Sequence, residues 1–133
     1  MTKLTNRMRV IRAAALGALV VLGAACAGEK AFREGQDAES LGRWDEAVSS
    51  YAKAHEESPK EVRYKMAFDH ARRKASQDHF EKGKMYLASN EAQLALIELE
   101  QATVLDPEND YASLELHRAQ EEVAKIEAQK NKS

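Results

Sequence analysis

Three observations predict an all-α protein built from short helical hairpins. After residue 25 the chain holds 17 alanines but only seven β-branched residues, six Val or Ile and Thr103. Helices favour Ala, Leu, Glu, Lys, Gln and Arg, whereas strands favour β-branched and aromatic side chains. The sequence also matches itself at a shift of 48 residues. Phe32 falls on Phe80, Gly35 on Gly83, Gly42 on Asn90, Ala47 on Ala95, Ala54 on Ala102 and Pro59 on Pro107. Finally, the two prolines stand where helices of that repeat should already have stopped.

The elements follow in chain order. Residues 1–25 hold Lys3, Arg7, Arg9 and Arg12 with no acid, and an apolar run from Ala13 to Ala25 follows the arginines. A basic start, a short apolar run and small residues at its end make a secretory signal. At 13 residues the run is short of the ~20 needed to span a bilayer. Cys26 comes next and is the only cysteine, so no disulfide can form within the chain. Residues 26–28 are expected to be a short tether, and residues 29–131 a single helical domain.

The first hairpin is expected over residues 28–60 and the second over 76–108. Gly35 and Gly83 each sit inside a helical pattern, where glycine costs about 1 kcal/mol relative to alanine. That cost is tolerable where a neighbouring helix must come close. Gly42 and Asn90 are of the two types that best accept a left-handed helix C-cap. Ala47 and Ala54 are seven apart and share a helix face, as do Ala95 and Ala102. No Gly or Pro lies between Lys60 and Lys82. One long helix is therefore expected from about residue 60 to 88, closing the first hairpin and opening the second. A last helix, about 111–129, carries Leu116, Ala119, Val123 and Ile126 at spacings of 3, 4 and 3, an apolar seam suited to capping the array.

The first hairpin's Gly35, Gly42, Ala47, Tyr51, Ala54 and Pro59, and the second's Gly83, Tyr86, Asn90, Ala95, Leu99, Ala102 and Pro107, resemble the tetratricopeptide repeat (TPR). Its pattern is a small residue in helix A, a Gly-containing turn, then Ala, an aromatic, Ala and Pro along helix B. The period of 48 rather than 34 and Leu99 in the aromatic place are departures. The resemblance implies TPR-like hairpins in a short α-solenoid, with protein partners rather than a substrate. Phe32 and Phe80 would then lie on the A helices that line the inner groove.

Leu22-Gly23-Ala24-Ala25-Cys26 resembles a bacterial lipobox, with Leu22 one residue further from the cysteine than that pattern prefers. This implies a lipid on Cys26, a membrane anchor, and, since Ala27 is not Asp, the periplasmic face of the outer membrane. Leader, hairpin, spacer (Tyr64-Lys65-Met66-Ala67 to Ala71-Arg72) and second hairpin together resemble the N-terminal segment of some bacterial secretin-type secretion or pilus channel proteins. That implies an accessory of such a system, or a truncated relative of the channel. A structural oligomer joined through the last helix is the other alternative.

The chemistry of the side chains points away from catalysis. His70 and His79 are nine apart, on opposite sides of one helix, and cannot share a metal. His55 has no second histidine four residues on, and no Gly-rich phosphate loop is present. Neither catalytic nor metal residues, nor a cofactor or small-molecule substrate, are expected. Overall there are 20 cations and 22 acids; without residues 1–25 the balance is 16 against 22, or −6, which disfavours nucleic acid. Charge is uneven: residues 60–74 carry six cations against Glu61 and Asp69. Phe32, Phe80, Arg63, Arg72 and Lys74 are therefore the candidate partner-binding residues. The cations have a competing reading as partners of acidic neighbouring helices.

Overall fold

The computed structural model describes residues 28–132, which form five helices and no strand. Helix α1 covers residues 28–40. It is followed by α2 (Trp44–Glu57), α3 (Val62–Ala88), α4 (Ala92–Leu105) and α5 (Asp110–Lys130). The leader and Cys26 lie outside the described residues. Gly28, expected in the tether, is already helical and packed, with Ala54 O and the Ser58 and Tyr64 side chains beside its Cα.

Helices α1 and α2 join through a turn that only certain residues can make. Gly42 has φ +69°, and Asn90, at the same place before α4, has φ 60°. Each turn closes with a matched pair of bonds. Arg43 N–H donates to Ala38 O and Gly42 N–H to Glu39 O, both at 2.9 Å. Forty-eight residues on, Glu91 N–H donates to Tyr86 O at 2.9 Å and Asn90 N–H to Leu87 O at 3.1 Å. This is the Schellman arrangement, which satisfies the last carbonyls of a helix while the chain turns back. The repeat in sequence is thus a repeat in backbone hydrogen bonding.

Helix α2 ends where Ser58 N–H caps back to Ala54 O, and Pro59-Lys60 makes a turn. The turn delays α3 to Val62, two residues later than the sequence suggested. Its 27 residues then run unbroken to Ala88, about 40 Å at 1.5 Å per residue. The chain divides into two compact units, ending and beginning at Phe68 and Asp69 inside α3.

In the first unit, Ala31, Ala54 and Tyr64 form a buried cluster with Phe32 packed on it. Ala47 and Ala54 are fully buried, and the Tyr51 ring lies against Gly35. In the second unit, Ala95, Leu99 and Ala119 form the core, with Phe80, Tyr86, Leu87, Leu96 and Leu116 around it. Leu99 replaces Tyr51 and lies against Gly83. The buried Ser76 hydroxyl donates to Ala102 O at 2.8 Å, so this one buried hydroxyl is matched. Helix α5 packs along α4 and contributes Ala119 and Leu116 of the expected seam; Val123 is half-buried and Ile126 exposed. Asn109 caps α5, its side chain accepting from Ala112 N–H at 3.1 Å.

Candidate protein-binding surfaces

The candidate residues of the first unit converge on Glu29. Phe32 stands between Tyr51 and Tyr64, with ring centroids 5.4 and 4.9 Å away. The Arg63 guanidinium lies 5.1 Å over Phe32 and 4.8 Å over Tyr64. Its Nη2 is 2.6 Å from Glu29 Oε2, and the Tyr64 hydroxyl donates to that same oxygen at 3.1 Å. Here α1 supplies the acid and one ring, α2 a second ring, and the start of α3 the cation and third ring. A planar guanidinium can stack on aromatic faces while donating to a carboxylate, which a lysine cannot do as well. Arg63 is therefore a clasp within its own unit.

The Tyr64 hydroxyl and then Arg63 hold the Glu29 carboxyl below its ordinary value of 4.5. A carboxyl with a lowered folded pKa contributes stability that is present above the ordinary value and lost as pH falls through the folded one. The melting temperature should accordingly drop as pH falls below about 4.5. Glu29→Gln should make that drop shallower in thermal melts between pH 5 and pH 3. An unchanged slope would show that the clasp carries no charge-dependent stability. Burial, and then the Glu39 carboxylate that its hydroxyl donates to, push the Tyr51 phenol up.

In the second unit Phe80 packs on the core, and Lys84 Nζ is 5.0 Å from its ring centroid. Both candidate aromatics are thus half-buried inside their hairpins, each with a cation over the ring. A peptide reaching either would have to move that cation aside. Arg72 is half-buried and Lys74 exposed on the second unit's part of α3. His79 Nδ1 lies 2.7 Å from Glu98 Oε2, tying α3 to α4. Among the described residues no group of three or more His, Cys, Asp or Glu could hold a metal ion. No helix among them is long and apolar enough to cross a membrane.

One surface was not singled out from the sequence. Leu94, Ile97 and Val104 of α4 are 42%, 54% and 72% exposed, and Tyr111 and Leu114 of α5 are also exposed. The signal was present in the 48-residue match, which aligns Leu94, Ile97 and Val104 with Glu46, Ser49 and Glu56. The second unit also has an open groove lined by Leu87, Asn90, Ala92, Arg118, Glu122 and Ile126.

Comparison of the sequence with known protein families and with curated proteins gives no match. Among solved structures, the chain is similar to the Arabidopsis OM64 TPR domain at 19% identity and a TM-score of 0.36, over 74% of this chain and 98% of that one. At that score the likeness assigns no function. What the molecule shows by itself is an all-α fold of two helical hairpins repeating one pattern of small residues and turns.

Proposed function

We propose that this chain is a protein-binding scaffold of the bacterial envelope, held at the membrane by lipid on Cys26. The observation that supports binding is how its side chains are spent. The polar clusters, Glu29-Arg63-Tyr64 and His79-Glu98, tie helices together instead of converging on a substrate cavity. Large apolar side chains meanwhile stay exposed on α4 and α5. Contiguous exposed apolar patches on a folded domain mark interaction sites. Repeated helical hairpins suit that role.

The anchor and the address rest on the leader and on Cys26. Several acyl chains on one cysteine hold a protein stably, because each buried methylene contributes about 0.8 kcal/mol. The finer reading, an accessory of a secretin-type secretion or pilus system at the periplasmic face of the outer membrane, rests on the order of leader, hairpin, spacer and hairpin. Cys26→Ser should move the protein from the membrane fraction to the soluble periplasm, and the wild type should incorporate labelled fatty acid. Wild type that takes up no fatty acid would remove the anchor from this proposal. In-cell crosslinking from the exposed Lys74 should then capture an envelope protein; capture of a channel subunit would support the finer reading.

A further inference from the structure

Helix α4 presents an apolar row that its own fold does not require. Leu94, Ile97 and Val104 are spaced three and seven apart, so they share one face, and all three are exposed. Ala95, Leu99 and Ala102 hold the opposite, fully buried face. In the first hairpin the same three positions of α2 are Glu46, Ser49 and Glu56, all exposed. The two hairpins use the same turn geometry and the same buried alanines. A polar residue at these three positions is therefore compatible with the hairpin, and folding alone does not account for the apolar row.

The charge along this stretch of the chain is equally one-sided. Between Lys84 and Arg118 the chain holds seven carboxylates and no lysine or arginine. Glu100 lies on the edge of the row, exposed, one residue before Gln101, which completes the face between Ile97 and Val104. Tyr111 and Leu114, on the first turns of α5, are exposed as well, and the N-terminus of α5 carries Asp110. An apolar strip on an acidic field selects a partner with the opposite field, because like charges brought together at an interface oppose binding. Two copies meeting through their α4 faces would bring acid to acid.

We propose that the outer face of α4 docks a cationic amphipathic helix of a partner protein. Its apolar residues, at i, i+3 or i+4 and i+7, would cover Leu94, Ile97 and Val104, and its lysines or arginines would face Glu100 and the neighbouring carboxylates. This is helix-on-helix recognition, and it deepens the protein-binding reading by naming a surface and a partner chemistry. Within the second unit the surface is distinct from Phe80, which packs on the buried core.

The test uses the full chain bearing Cys26→Ser, purified without detergent. The probes are two fluorescent 18-residue helical peptides, one of leucine and lysine with leucines at that spacing, the other with glutamate for lysine. At physiological salt the leucine–lysine peptide should bind at least tenfold more tightly than its glutamate counterpart. Leu94→Gln, Ile97→Ser and Val104→Gln together keep the net charge and should weaken it at least tenfold, with circular dichroism and melting temperature unchanged. Equal binding to wild type and variant would overturn the proposal, as would equal binding of the two peptides or no binding at all. Binding lost in Phe80→Ala but kept in the α4 variant would overturn this surface while leaving a protein-binding module. Concentration-dependent dimers in sedimentation, abolished by the α4 changes, would make a second copy the occupant and overturn it too.

Discussion

Gly83→Ala should destabilise the protein, although the same change in an ordinary helix interior stabilises by about 1 kcal/mol. A Cβ at Gly83 would lie 2.5 Å from Leu99 Cγ and 2.8 Å from its Cδ2. Leu99 is fully buried and has nowhere to go. Overpacking of this kind costs about 1–3 kcal/mol. Gly35→Ala should behave in the same way, since its Cβ would lie 2.5 Å from two atoms of the Tyr51 ring. The partner identifies the cause. Leu99→Ala alone should cost roughly 2–5 kcal/mol through the cavity it leaves. In that background Gly83→Ala should turn neutral or stabilising, a coupling in the range of about 0.5–3 kcal/mol. Denaturant unfolding of the four proteins measures it. Additive effects would mean that the close approach of α3 and α4 at this point is not what glycine is there to permit.

Met66→Pro should have the second large effect. Met66 lies within α3 and is 67% exposed, so little packing is lost with its side chain. Proline there removes a backbone donor and sets its ring against the preceding turn, at a cost of about 3 kcal/mol or more. That is a large fraction of the stability of a small domain. Met66→Ala is the control and should be nearly neutral, because alanine is the best helix former and the site is exposed. A proline variant as stable as the alanine one in thermal melts would mean that α3 is already interrupted near residue 66.

Features written in local chemistry were legible in the sequence. Gly42 and Asn90 announced a left-handed turn because few other residues adopt positive φ without strain. Ala47, Ala54, Ala95 and Ala102 announced close helix contacts because alanine recurred where a larger side chain would be expected in a core. The continuity of α3 followed from the absence of any breaker across its length, and its start was misplaced by two residues because the Pro59-Lys60 turn needs Glu61 to complete it.

Pairings between distant residues were not legible. Arg63 is drawn to Glu29 across 34 positions, and His79 to Glu98 across 19. Helical periodicity could place Arg63 beside an apolar stripe but could not say that Phe32 and Tyr64 would lie beneath it. The exposed row of α4 escaped for a different reason. That helix is apolar nearly all round, so its sequence carries little periodic contrast to separate the buried face from the open one. Only the comparison with α2, position by position, separates them.

The claim on which the rest depends is that one unbroken helix serves both hairpins. Spin labels at Val62 and Met85, both exposed near the two ends of α3, test it most directly in a Cys26→Ser background free of other cysteines. With 1.5 Å of rise per residue, their Cα atoms should be about 35 Å apart. Pulsed electron–electron resonance should then give one narrow distribution centred near that distance. A broad distribution, or a maximum below about 25 Å, would mean that α3 bends or breaks between the hairpins, and would contradict the account.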